Sequence, residues 1–112
     1  MIETIILEHL HGAGIAAVME IPEGGLTPPC CVIQRTGGGI SNQIRRATVA
    51  IQSHGATLYD AAALNEQVVA AMNTLAEHPK VAACDLNSDY NYTDTTKKEY
   101  RYQAVFDVVY YD

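Results

Sequence analysis

Hydrophobic positions recur at helical spacing in two segments of the chain, and each segment predicts an amphipathic helix. The first is predicted over residues 2–11 and ends before Gly12, because glycine favours helix ends. The second is predicted to begin at Thr57, where Asp60 three residues on resembles a capping box, and to end near Pro79. Its buried stripe is predicted to consist of Ala61, Leu64, Val68, Met72 and Leu75.

Strands are predicted in segments that alternate or are rich in β-branched and aromatic residues. They are 15–21, 30–35, 46–53, 81–92 and 98–111. In the last strand, one face is predicted to hold Tyr100, Tyr102, Ala104, Phe106, Val108 and Tyr110. In the strand before it, one face is predicted to hold Cys84, Leu86, Tyr90 and Tyr92.

The predicted order of elements is α-β-β-β-α-β-β. Short connections favour antiparallel neighbours, so the fold class is α+β, with an antiparallel sheet of about five strands and two helices packed on one face. The whole chain, 1–112, is expected to form a single domain. A flexible loop is predicted at 36–45, between the second and third strands.

Composition and charge narrow the possible functions. Apolar residues make up 48% of the chain, which excludes a disordered protein. The net charge of −6 argues against a general or sequence-specific nucleic-acid binder, which needs a basic face. The sequence has no recognisable secretion signal and no long apolar run, so we expect a soluble protein made in a cytoplasm, with no membrane partner.

The predicted loop contains the most suggestive motif, "RTGGGISNQIRR". Glycine and arginine together are common in phosphate sites, but a Walker loop requires a lysine and a following helix, and here a strand follows. A dinucleotide fingerprint also fails, because Asn42 stands where the third glycine is needed. We therefore predict a partner-binding loop that needs glycine for freedom and tolerates alanine without loss of the fold. Its candidate residues are Arg35, Gly37, Gly38, Gly39, Arg45 and Arg46.

Other candidate sites are weaker. Asp85, Asn87 and Asp89 begin like a calcium loop, but the required glycine and closing glutamate are absent. The four histidines show no metal-ligand spacing, and the three cysteines are too few for a disulfide framework. We predict no catalytic residue, no metal and no cofactor. Seven tyrosines against one phenylalanine favour protein contacts for some of them.

Several strings resemble a known family. "PCCVIQRTGGG", then "RRATVAIQSHGATLYDAAALNEQVVAAM" and a closing tyrosine-rich hairpin are similar to tail terminator proteins of long-tailed bacteriophages and prophages. These small tail-completion proteins are also described as minor capsid or head–tail joining proteins. The part "ATVAIQSHG" leading into "LYDAAALNEQV" is the most specific, and the resemblance extends over nearly the whole chain.

The resemblance implies a structural virion protein without enzyme activity. Its subunits would form a ring, expected to be a hexamer, that caps the tail tube and then meets the head connector. The loop at 36–45 would project toward the ring lumen or a neighbouring tail protein. Arg35, Arg45 and Arg46 would pair with acidic partner surfaces rather than face DNA in the lumen, since the chain itself is acidic.

Three alternatives remain open at this point. A head-completion or neck protein would occupy the same junction as a tail terminator. A small-molecule-binding α+β domain would need an apolar pocket. An enzyme using Cys30, Cys31 or Cys84 would need an exposed, activated thiolate.

Overall fold

The computed structural model describes residues 1–111 as two helices packed on a five-stranded sheet, which confirms the α+β class. The element order also matches the predicted α-β-β-β-α-β-β. The elements are α1 Ile2–Gly12, β1 Ala17–Val18, β2 Cys30–Ser41, β3 Ile44–Gly55, α2 Leu58–Met72, a 3₁₀ turn Leu75–Glu77, β4 Val81–Asn91 and β5 Tyr100–Tyr111.

The strands follow the order β1-β2-β3-β5-β4 across the sheet. Four of them form an antiparallel sheet, but β1 pairs in parallel with β2 and is only two residues long, against the predicted 15–21. β3 and β5 pair along their whole lengths, from Ile44 opposite Tyr111 to Gly55 opposite Tyr100. The centre of the sheet is therefore a long, regular two-stranded ladder.

The core lies between the two helices and one face of the sheet, called here the helix face. On β3, Val49 and Ile51 point into it, and on β5 Phe106 does so. α1 contributes Ile2, Ile6 and Leu10, all fully buried. The predicted stripe is buried as expected: Ala61, Leu64, Val68 and Met72 lie in α2, and Leu75 lies in the 3₁₀ turn that follows it.

The ends of α2 show one confirmed and one wrong prediction. The backbone N–H of Asp60 donates to Oγ1 of Thr57 at 3.1 Å, so Thr57 caps the helix. The α-helix ends at Met72, however, well before Pro79. The hydroxyl of Thr74 donates to the carbonyl of Ala71 at 2.8 Å, and Nε2 of His9 lies 2.7 Å from the same oxygen. The side chains of Thr74 and His9 thus contact the carbonyl oxygen of Ala71, which would accept a backbone N–H if the helix continued.

β4 departs from simple alternation because it carries two bulges, one of them between Leu86 and Ser88. Leu86 pairs with Phe106 and so lies on the helix face, whereas Tyr90 pairs with Gln103 and lies on the opposite, open face. The prediction that Cys84, Leu86, Tyr90 and Tyr92 share one face is therefore wrong. The extra residue at the bulge shifts the side-chain alternation by one position, so the residues after it point to the opposite face of the sheet.

Among residues 1–111, no helix is long and apolar enough to cross a lipid bilayer.

Candidate interaction site on the glycine-rich hairpin

The predicted loop at 36–45 is the end of a β-hairpin. β2 continues to Ser41 and β3 begins at Ile44, so only Asn42 and Gln43 form the turn. Both turn residues have positive φ, 51° and 66°, as a two-residue turn of the I′ type requires. Because the hairpin is also paired with β5 up to Tyr111, its main chain is held on the β3 side. The prediction of a flexible loop at 36–45 is therefore wrong. Glycines have no side chains whose alternation could reveal a strand in the sequence, but their backbone groups pair in the sheet like those of other residues.

The three glycines have different structural roles. Gly37 and Gly39 pair with Thr48 and Arg46, and a bulge after Arg35 precedes them. A Cβ on Gly38 would lie 2.9 Å from the carbonyl oxygen of Arg46, so this position excludes a side chain unless the backbone moves. A Cβ on Gly39 would have no atom within 4 Å, and one on Gly37 would meet Thr48 at an ordinary 3.9 Å. Only Gly38 is required by the contacts within the chain.

The three arginines gather at this end of the sheet but not on one face. By the alternation of β3, Arg45 shares the helix face with Ala47, while Arg46 lies on the open face. Arg35 also lies on the helix side, where its Nε is 3.7 Å from Oε2 of Glu3 in α1. This partly exposed ion pair is worth at most about 1 kcal/mol. Sequence reasoning did not identify Glu3 as the partner of Arg35, because the two residues are far apart along the chain.

A shallow cleft of about 490 Å³ runs along this part of the hairpin. Its lining brings all six predicted partner-binding residues together with an apolar residue, Ile40, and with Tyr110. Three of the chain's seven basic residues are thus placed at one end of an otherwise acidic protein. Such an arrangement attracts a carboxylate-bearing surface and positions it by charge.

An acidic pair lies at the opposite edge of the open face. Asp85 on β4 and Asp107 on β5 are direct cross-strand partners, and both are exposed. Like charges in this position destabilise a sheet. Asp107 accepts hydrogen bonds from Thr48 Oγ1 at 3.3 Å and from Asn87 Nδ2 at 2.9 Å, which leaves Asp85 as the more outlying carboxylate. Sequence reasoning treated Asp85 only as part of a calcium-like string and missed this pair.

The other candidate ligands do not converge. Asp85 lies on the open face and Asp89, which pairs with Ala104, lies on the helix side. His9 and His11 each contact a backbone carbonyl, at 2.7 Å to Ala71 and 3.0 Å to Ala17. Over residues 1–111, no group of three His, Cys, Asp or Glu side chains has a geometry that could hold a metal ion.

The cysteines are in environments that disfavour the thiolate. Cys30 and Cys31 are buried, and Cys84 is half-buried. Burial raises the pKa of Cys31 and that of Cys84 to about 11 in each case, and it also raises the pKa of Cys30. A nucleophilic cysteine requires the opposite shift. The local chemistry is that of packed, reduced thiols.

No protein-family model matches the chain, and no curated protein matches it either.

Proposed function

We propose that this protein is a structural subunit of a phage or prophage particle, forming a ring that completes the tail tube and joins it to the head. It acts in the virion, and in the bacterial cytoplasm while the particle is assembled. The ring is a homo-oligomer of six subunits, and its further partners are the tail tube and the head connector. The chain needs no cofactor and no catalytic residue for this role.

The observation that carries this proposal is the placement of Arg35, Arg45 and Arg46 at the end of a paired hairpin on a protein of net charge −6. An assembly subunit needs a surface that is held in place and that differs in charge from the rest of its own body. The hairpin supplies both, since β5 holds its main chain. A contact through exposed guanidinium groups at this end of the sheet, such as that of Arg46, favours an acidic protein surface.

The strings that carry the resemblance to tail terminators support the proposal in a second way. "ATVAIQSHG" forms most of the central strand β3, and "LYDAAALNEQV" forms most of α2. These two elements pack directly on each other, because Gly55 lies against the backbone of Asp60 and Ala61. The resemblance therefore falls on the strand–helix unit at the centre of the fold rather than on scattered surface positions.

The decisive test is co-sedimentation with tail tubes purified from the phage or prophage that encodes the protein, followed by negative-stain imaging of the tube ends. We expect the wild-type protein to bind at one end of the tube as a ring. Arg46→Glu is expected to weaken this binding, because it reverses an exposed charge at the hairpin. Lys97→Glu is the matched control: it makes the same exposed charge change in the β4–β5 connection.

Absence of wild-type protein from the tubes would contradict the proposal. Binding to isolated head connectors but not to tail tubes would favour the neck-protein alternative instead. Equal loss of binding in both variants would show that net charge, and not the hairpin, governs the contact.

A further inference from the structure

Both outer edges of the sheet are open over much of their length. Within residues 1–111, the stretch of β2 from Ile33 to Ser41 pairs only with β3, since β1 covers only Cys31 and Val32. At the other edge, β4 pairs only with β5 in the same described part of the chain. Such edges display unpaired N–H and C=O groups that bind another strand.

The two edges run in opposite directions. Each step from β2 to β3, from β3 to β5 and from β5 to β4 is antiparallel. If a second copy is placed beside the first with the same face and the same end forward, its β4 runs antiparallel to the first copy's β2. A head-to-tail contact repeated in this way makes a closed ring when the rotation between copies closes.

We infer that the glycine-rich part of β2, Gly38–Ser41, pairs in antiparallel fashion with the segment Ala83–Leu86 of β4 in a second copy of this chain. The inference rests on the proposed function for its ring and names the joint between the ring's subunits.

The glycines favour this joint on the β2 side. Glycine inside a strand is destabilising relative to alanine, because it loses more conformational freedom on folding. Gly37 lies at the bulge after Arg35, but Gly39 has no bulge, no left-handed backbone and no close contact within the chain that would require it. A strand glycine without such a cause marks a place where another backbone or a ligand approaches closely.

Charge selects the partner edge. Gly39 pairs with Arg46 on the open face, and because Gly39 has no side chain, the guanidinium of Arg46 can extend over it to the edge. Asp85 lies on the open face of β4, beside a like charge on Asp107. Pairing of β2 with β2 would bring arginines together, and pairing of β4 with β4 would bring aspartates together. Only β2 with β4 sets opposite charges against each other.

The register follows from the bulges and the exposed apolar residues. Bulges interrupt β4 before Ala83 and after Leu86, which leaves these four residues as a regular segment. When Gly39 is opposite Asp85, Ile40 falls opposite Cys84 and Gly38 falls opposite Leu86. Ile40 is 60% exposed and Leu86 42% exposed, and this register covers both on the helix side. A shift by one residue would place Arg46 and Asp85 on opposite faces.

The register provides a cross-linking test that uses the native Cys84. The variant Ile40→Cys is oxidised under mild conditions at about millimolar protein, at pH 9 because burial raises the pKa of Cys84 to about 11. We expect a ladder of disulfide-linked oligomers on a non-reducing gel. The controls are wild type, which has Cys84 but no cysteine at position 40, and I40C/C84S, and neither is expected to give a ladder.

Two outcomes would overturn the inference. One is the absence of a ladder from I40C. The other is a single dimer band that persists in I40C/C84S, because that band would come from β2 paired with β2.

A second measurement uses charge and requires no new thiol. Gly39→Glu and Asp85→Arg are each expected to weaken self-association by about tenfold or more in sedimentation experiments, and an equal mixture of the two is expected to restore it. Gly12→Glu and Glu66→Arg are the matched controls. Gly12 has open space around its Cβ position and Glu66 is exposed on α2, so both are expected to associate like wild type. Wild-type behaviour of G39E or D85R, or a mixture no stronger than its components, would count against the joint.

These results separate the joint from the proposed function. A ladder with no binding to tail tubes would support the edge pairing and reject the tail-completion role. Rings on tail tubes with no I40C ladder would support the tail-completion role and reject the edge pairing.

Discussion

Gly38 and Arg46 approach so closely that a Cβ on the glycine would lie 2.9 Å from the carbonyl oxygen of the arginine. The neighbouring Gly39 has no such contact, although it belongs to the same strand. Alanine substitutions at these two adjacent glycines therefore distinguish the cost of a steric clash from the effect of glycine's conformational freedom.

We expect Gly38→Ala to lower the free energy of unfolding by about 1–3 kcal/mol, because the strand pair must open to admit the methyl group. Gly39→Ala is expected to be neutral or to stabilise by up to about 1 kcal/mol, since alanine restricts the unfolded chain. Urea unfolding at low protein concentration measures both. Equal effects would show that crowding at Arg46 is unimportant. The expectation that alanine at all three glycines leaves the fold intact needs correction at Gly38.

Gly55 is expected to be the least replaceable glycine in the chain. A Cβ there would collide with the backbone nitrogen of Ala61 and lie 2.8 Å from the carbonyl carbon of Asp60. Gly55→Ala must push α2 away from β3, so we expect a loss of about 3 kcal/mol or more in thermal or urea unfolding. Gly12→Ala is the control, because its Cβ position is open. A G55A protein with wild-type stability would contradict the close packing of β3 on α2.

Thr57 is expected to contribute through its cap alone. Thr57→Ala removes the acceptor of the Asp60 N–H and should cost about 1 kcal/mol of unfolding free energy. Thr57→Ser keeps the hydroxyl oxygen and should cost little. If the serine variant loses as much as the alanine variant, the threonine methyl group matters and the cap does not.

His54 is expected to make the protein sensitive to mild acid. In the folded state, the pKa of this histidine lies below its ordinary value of 6.5. Burial is the main cause, and the nearby positive charge of Arg101 adds to it. Below pH 6.5 the unfolded chain therefore binds a proton that the folded protein takes up only at lower pH, so stability falls as the pH falls through this range. His54→Gln should reduce this slope in urea unfolding between about pH 7 and 5. An unchanged slope would show that other groups account for it.

Cys31 is expected to have the corresponding effect in alkali. Its folded pKa is raised from 9.0 to about 11, mainly by burial. As the pH rises above 9, the unfolded chain loses its proton first, so stability falls until the pH reaches about 11. Cys31→Ala should flatten this decline in unfolding experiments over the same range, although it lowers stability at neutral pH by creating a small cavity. A decline as steep as that of wild type would assign the effect to other groups.

The sequence predicted the elements whose period is strong and whose side chains meet the core. The stripe of α2 and the inward residues of β5 were both identified, because apolar side chains at 3.6- or 2-residue spacing reveal a buried face directly. The cap at Thr57 was identified because its signal lies within four residues of chain.

The parts that were missed depend on contacts distant in sequence or on backbone conformation. The hairpin turn at Asn42 and Gln43 requires positive φ at both residues, which glutamine gives no reason to expect. The face on which Tyr90 lies depends on the register of β4 against β5. The position of the bulge that sets this register has no visible signal in the sequence. The pairing of Asp85 with Asp107 follows from that same register.

The complete pairing of β3 with β5 has a mechanical consequence. Any pull along the hairpin passes into the twelve residue pairs of this ladder from Ile44 to Gly55, in the direction of the strands. Strands pulled in this direction must slide past each other, and many hydrogen bonds then bear the tension together rather than opening one at a time. A subunit gripped at the Asn42–Gln43 turn would therefore transmit force to its centre without first unravelling at the tip.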